Sequence, residues 1–237
     1  MTEVHQYFNV YCEGCGKKHV VIMRCGDRFC PVCNAGRLAL IREKLQFIVK
    51  NITLQPGERF RFLTFTVENQ ENLKQMCSFL IKKFRKLRES RFWKTYYQGG
   101  SYVIEVTGTQ GNWHAHLHVL AAGYYCPQRL LLDAWRSQCG RGGVYCKNAE
   151  KGSTIRYILK YISKSECQGE NQDLAASALK GYRLYQPFGS FMSVSKKFVR
   201  SCSVCPHCGS TAVIPEYKLY GVPFMRCVQT LSAKDPP

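Results

Sequence analysis

Acidic residues are scarce. Only 16 Asp and Glu face 34 Lys and Arg in 237 residues, for a formal net charge of +18. Even two zinc ions, each held by four thiolates, would cancel only about four of those charges. Such an excess points to an anionic polymer, either nucleic acid or an acidic membrane. Also lacking is any apolar run long enough to span a bilayer, and the N-terminal MTEVHQYFNV has no signal-peptide pattern. Nucleic acid is therefore favoured over membrane, and a cytoplasmic location is expected. No G-x-x-x-x-G-K-S/T phosphate loop is present, so no helicase motor is expected in the chain. What is abundant is apolar: a hydrophobic content of 45% is enough for a packed core, and the length suits one medium domain with small modules.

The 14 cysteines concentrate towards the two ends in Cys-x-x-Cys pairs. With no export signal, zinc in a reducing interior is favoured over disulfides. Cys12-Glu-Gly-Cys15 and Cys30-Pro-Val-Cys33 read as two knuckles of one tetrahedral site, a zinc module over residues 1–37. Cys25 and His19 are alternate ligands. Residues 201–237 read as a second, zinc-ribbon-like module, with Cys202, Cys205, Cys208 and Cys227 as ligands and His207 as a substitute. Two structural Zn²⁺ ions are thus expected, each stapling a segment too small to bury its own core.

Between these modules, SYVIEVTGTQGNWHAHLHVLAAG (101–123) reads as two strands joined at Gly108–Gly111. His114, His116 and His118 alternate with apolar residues and so share one face. Centring the turn between Gln110 and Gly111 sets Glu105 opposite His116, Val103 opposite His118 and Thr107 opposite His114. Glu105, His116 and His118 then converge, and two imidazoles with a carboxylate suit a catalytic divalent metal. His114, at the loop edge, is the weakest member.

The remaining pattern is mixed. RLALIREKLQFIVK predicts an amphipathic helix over 37–50, and with NITLQPGE it forms a helix and linker over 38–58. A main domain is expected over 59–200. RFRFLTFTVEN (59–69) reads as a strand apolar on both faces. Residues 70–94 read as one helix, with Leu73, Met76, Leu80, Phe84 and Leu87 inside and Lys82, Lys83, Arg85, Lys86, Arg88, Arg91 and Lys94 outside. Lys82, Lys83, Arg85 and Lys86 are candidate DNA contacts, or else a solvated face. A helix over 127–139 and a short strand at GGVYCKN follow. Tyr182, Tyr185, Phe188 and Phe191 could stack on unpaired bases or simply pack.

STIRYILKYISKS (153–165) predicts a helix on which Tyr157, Tyr161 and Lys164 share a face, with Lys160 beside it. A phenol needs activation to be a nucleophile, and adjacent Lys charge is expected to favour its phenolate. The plainer reading of Tyr and Ile at this spacing is core packing.

RFLTFT, then HAHLHVL, then YILKYISK is an order that resembles the HUH endonuclease superfamily, in particular two-tyrosine rolling-circle replication initiators of plasmids and viruses. His116-Leu117-His118 resembles the hallmark, and Tyr157-x-x-x-Tyr161-x-x-Lys164 the nucleophile motif. Glu105 matches the usual third ligand, and CGDRFCPVCNAGR resembles the cysteine-rich leader of plasmid initiators. The resemblance covers about residues 12–165. It implies an α+β fold: a ferredoxin- or RRM-like antiparallel sheet with the histidine hairpin at its centre and helices around it. It also implies Mg²⁺ or Mn²⁺ on Glu105, His116 and His118, with Tyr161 and Tyr157 as nucleophiles and Lys160 and Lys164 offsetting charge. The implied substrate is single-stranded origin DNA, and a host helicase and polymerase would be partners. A Helitron-like transposase shares the same motifs. A non-catalytic zinc-containing DNA- or RNA-binding regulator and a zinc hydrolase centred on the histidines are the competing classes.

Overall fold

The structure, a computed structural model, describes residues 7–22, 27, 29–149, 154–163, 167, 169–183, 185–198, 205, 207–210 and 213–215. The elements run β1 (Tyr7–Cys12), β2 (Lys18–Ile22), α1 (Pro31–Asn51), β3 (Arg59–Thr66), α2 (Leu73–Glu89), α3 (Arg91–Tyr96), β4 (Tyr97–Thr109), β5 (Asn112–Gly123), α4 (Gln128–Cys139), β6 (Val144–Asn148), α5 (Thr154–Ser163), α6 (Glu170–Ala178), β7 (Gln186–Gly189), α7 (Ser190–Lys196) and β8 (Val213–Pro215). The fold is α+β. No helix among the described residues is long and apolar enough to cross a membrane.

The chain divides into two compact units, 38–198 and a smaller one built from 1–37 together with 199–237. The larger holds a five-stranded sheet in the order β6-β3-β5-β4-β7, antiparallel at every pairing. The histidine-bearing β5 is its middle strand. Neighbouring residues on a strand face opposite ways, so β3 feeds two apolar layers. Phe62 joins Val103, Leu120 and Ala122 under Leu45 and Ile48 of α1, Ile158 and Ile162 of α5 and Phe191 of α7. Phe65 points to the other side, where its ring lies 5.1 Å from both Phe84 of α2 and Trp135 of α4. Burying side chains of this size contributes roughly 1.5–3 kcal/mol each.

The basic helix predicted over 70–94 is two helices. Asn72 caps α2 by accepting from the Gln75 N–H at 3.0 Å. Ser90, with extended backbone, closes α2 and opens α3: its hydroxyl donates to the Leu87 carbonyl at 2.6 Å and accepts from the Trp93 N–H at 3.2 Å. The break lets α3 turn Trp93 into the core beside Phe65 and Phe84. The inner stripe of α2 is as expected, with Leu73, Met76, Leu80, Phe84 and Leu87 all buried.

The expected boundaries need correction in two places. The 38–58 segment is no separate piece, because Leu45 and Ile48 complete the core of the larger unit. The two terminal modules are one unit: β1 pairs with both β2 and β8, giving a sheet in the order β2-β1-β8. Tyr185, Phe188 and Phe191 are buried core residues, which settles their role as packing over base stacking.

Candidate metal centre and nucleophile helix

The β4–β5 hairpin turns at Gly108 (φ 96°) and Gly111 (φ 86°), a conformation L side chains rarely adopt. A Cβ on Gly108 would also lie 2.4 Å from the Asn112 carbonyl oxygen. This turn sets the register: Glu105 opposite His116, Val103 opposite His118, and Thr107 opposite His114. One donor atom each from Glu105, His116 and His118 lies within 4.8 Å of the others, so the three could hold a metal ion. Glu105 and His118 are both buried, and His118 Nε2 lies 2.7 Å from Glu105 Oε2. At that distance a proton bridges the imidazole nitrogen and the carboxylate oxygen, and a divalent cation would displace it. A carboxylate this deep in a core is costly unless it is paired or coordinated.

Thr64 is a residue that sequence reasoning left without a role. It pairs with His118 across β3 and β5, and its hydroxyl lies 3.2 Å from His118 Nδ1. An outer partner on the second ring nitrogen fixes ring orientation and tautomer. The signal was available, since Thr64 lies on the same strand face as Phe62, two residues on. His114 stands apart from the triad. Its ring is 4.4 Å from that of His116, but its Nδ1 is hydrogen-bonded with Asn69. Burial lowers its pKa.

Helix α5 covers this face. The Tyr161 ring stacks on His118 with centroids 3.5 Å apart and planes 13° apart. Tyr157 lies edge-on to Tyr161 at 4.9 Å and stacks on Phe62 at 3.9 Å. Both tyrosines therefore stand at the triad, Tyr161 the nearer. The Lys160 ammonium is 5.5 Å from the Tyr161 ring centroid. Lys164 lies outside the described residues. Burial, then the hydrogen bond and charge of Tyr157, then Glu105, all push the Tyr161 pKa up.

The four basic candidates on α2 are not brought to this centre, because α2 packs on the opposite face of the sheet. Lys82, Arg85 and Lys86 are exposed there, and Lys83 lies over the Phe79 ring at 5.0 Å. Arg85 pairs with Glu89 at 2.9 Å. Arg88, expected on the outer face, is partly buried with its guanidinium 4.4 Å from the Phe188 ring centroid.

The cysteine sites are rearranged relative to expectation. Cys12 and Cys15 meet Cys205 and Cys208, not Cys30 and Cys33, with all four sulfurs within 4.8 Å of one another. Their two turns share one backbone pattern. The Gly16 N–H donates to the Cys12 carbonyl and the Gly209 N–H to the Cys205 carbonyl, both at 2.8 Å. Gly16 (φ 69°) and Gly209 (φ 74°) both take the left-handed conformation. A Cβ on Gly14 would fall 2.9 Å from Ser210 Cβ, so the knuckles close on each other. Burial opposes ionisation of Cys12, but hydrogen bonds from Cys208 and the backbone of Cys15 and Gly14 outweigh it and hold the thiol at about 6. For Cys208 the Ser210 backbone favours the thiolate, yet burial and the neighbouring sulfurs push the thiol up to about 12. A zinc ion would displace the protons that these crowded sulfurs retain.

Cys30 and Cys33 flank the start of α1, where the Cys33 N–H donates to Cys30 Sγ at 3.4 Å. Cys25, Cys202 and Cys227 lie outside the described residues. The alternates His19 and His207 stand beside the tetrad: His19 Nε2 is 3.5 Å from Cys205 Sγ, and His207 Nδ1 is 3.0 Å from Lys17 Nζ.

The centre thus combines a histidine–carboxylate hairpin with a tyrosine helix stacked on it. Comparison with known proteins likens part of the chain to replication proteins. Residues 18–128 match the family described as Rep_1, Replication protein. The match includes the whole hairpin and ends before the tyrosine helix. Relatives named Protein rep include that of Lactiplantibacillus plantarum, 36% identical over 104 residues, which are 40% of this chain and 32% of that protein. Protein rep of Bacillus amyloliquefaciens is 34% identical over 140 residues, 57% of this chain and 38% of that protein. Protein rep of Staphylococcus aureus is 29% identical over 129 residues, 49% of this chain and 56% of that protein. The chain spans about a third of the length of the first two relatives and about half that of the third. No solved structure matches.

Proposed function

We propose that the chain initiates rolling-circle replication by nicking and rejoining single-stranded origin DNA through a 5′-phosphotyrosine. The observation that carries this reading is Tyr161, stacked at 3.5 Å on a histidine of the Glu105–His116–His118 cluster. The oxygen and nitrogen donors of that cluster suit Mg²⁺ or Mn²⁺, and the tight Glu105–His118 pair offers a buried negative charge to balance. When bound, such an ion supplies charge neutralisation and polarisation at the scissile phosphate.

The chain's own residues carry the transfer. Tyr161 Oη attacks phosphorus, the bond from phosphorus to the 3′ oxygen breaks, and the phenolic proton ends on that oxygen as a free 3′-OH. The new phosphotyrosine retains the bond energy, so a later 3′-OH can reverse the step. Tyr157, hydrogen-bonded to Tyr161, is the second phenol for a further strand transfer. Thr64 holds the His118 ring, and Lys160 offsets charge near the phenol. The cysteine tetrad is proposed to hold a structural Zn²⁺. Unwinding and synthesis would fall to a host helicase and polymerase, and the reaction belongs inside the cell.

The test is a denaturing-gel assay on labelled single-stranded DNA from the element's own origin, with Mn²⁺. A covalent adduct lost in Tyr161→Phe supports the nucleophile. Loss only in the double variant with Tyr157→Phe makes the two phenols interchangeable. Metal-independent binding with no adduct from any authentic origin sinks the reading in favour of a binding regulator.

A further inference from the structure

On the helix that carries the tyrosines, a second stripe lies beside them. At 100° per residue, Tyr157 and Tyr161 occupy one face of α5, Arg156 and Lys160 the next, and Ile155 and Leu159 the one beyond. That second edge does not pack fully. Between α5 and α1 runs a cleft of about 570 Å³ lined by Leu38, Arg42, Gln46, Ile155, Arg156, Leu159 and Lys160. Its floor is apolar, and its rim carries three cations and no carboxylate. Arg42 and Arg156 are exposed, and among the described residues neither makes an ion pair. Lys160 lines this rim and also lies 5.5 Å from the Tyr161 ring centroid, so one side chain reaches from the edge of the cleft to the tyrosine face.

We propose that this α1–α5 cleft holds the single strand next to the scissile phosphate. Arg42 and Arg156 contact phosphates, and Ile155, Leu159 and Leu38 offer an apolar floor to a base. The proposal rests on the nicking reading of the same helix. The chemistry favours a single strand: apolar surface between cations serves an unstacked base, whereas a duplex presents only its phosphates to such a rim. Arg42 also gives the long α1 a role in binding that neither its core stripe nor the cysteines explain.

The experiment measures binding of a labelled oligothymidylate of about a dozen nucleotides. Anisotropy titrations of the full chain are run at several KCl concentrations without divalent metal. Each phosphate contact on a single strand contributes about 0.7 to the salt slope, so Arg42→Ala with Arg156→Ala should lower its magnitude by about 1.4. Arg42→Lys with Arg156→Lys should restore most of it. The charge-matched pair Arg129→Ala with Lys147→Ala, exposed elsewhere on the unit, should lower it by much less. An equal fall in both alanine pairs, or no fall in the first, overturns the cleft. A Mn²⁺ cleavage assay on the same proteins separates the two readings. Normal adduct from the wild type with an unmoved slope rejects the cleft alone. A reduced slope with no adduct from wild type on authentic origin keeps a strand-binding cleft and rejects nicking.

Discussion

The two candidate metal sites are built in opposite ways. Glu105, His116 and His118 come from one hairpin, and the turn at Gly108–Gly111 decides which residues meet. Cys12 and Cys15 wait for Cys205 and Cys208 from the far end of the chain, and a three-stranded sheet brings them together. In the first, pairing is local and the donors sit on buried strands of the main core. In the second, the donors sit on two tight turns of a small unit, and an ion would carry much of the stabilisation. The first is suited to chemistry and the second to holding a small unit together.

The sharpest way to break this contrast is at Tyr161, the proposed nucleophile. Tyr161→Phe should reduce adduct formation by at least about 10³-fold while leaving circular dichroism unchanged, as read on denaturing gels. A variant that also unfolds would mean the ring stacked on His118 is chiefly structural. Next in size is the tetrad. Cys15→Ser should lower bound zinc by about one ion per chain by elemental analysis, and hydrogen exchange should quicken in β1 and β2 far more than in β5. Protection lost equally in both units would erase the distinction. Third, Thr64→Val keeps the volume but removes the hydroxyl facing His118. Mn²⁺ affinity by calorimetry should fall about 10–100-fold. The smallest effect belongs to a turn: Gly209→Ala should cost about 1–2 kcal/mol of unfolding free energy, seen as loss of zinc at lower chelator concentration.

The same contrast explains what could be read from residues alone. Alternation and the position of two glycines were enough to set Glu105 against His116, because strand pairing next to a tight turn is a local problem. The inner stripe of α2 was legible for the same reason, though Ser90 was passed over as a stop because a single capping hydroxyl leaves no mark on periodicity. The cysteine partners were assigned by proximity in sequence, which carries no weight once a sheet spans both ends. A finer signal existed. Cys12-Glu-Gly-Cys15-Gly16 and Cys205-Pro-His-Cys208-Gly209 both end in glycine, whereas Cys33 is followed by Asn34 and a helix. The matching glycines marked the two turns of like geometry. Lys82, Arg85 and Lys86 of the basic stripe of α2 are exposed as read, but Arg88 is not, and which side of the sheet a helix covers is a matter of topology that charge does not encode.

The long separation within the cysteine tetrad has a consequence for synthesis. A ribosome adding about 5–20 residues per second needs roughly 10–40 s to carry the chain from Cys15 to Cys205. Throughout that interval the first knuckle has two sulfurs and no complement, and by about its midpoint β4 and β5 have been made and can pair. The histidine hairpin can therefore assemble before the sulfur site. A nascent chain interrupted before Cys208 would carry the Glu105–His116–His118 hairpin and Tyr161 but an open cysteine turn. The tetrad can therefore close only once synthesis has passed Cys208.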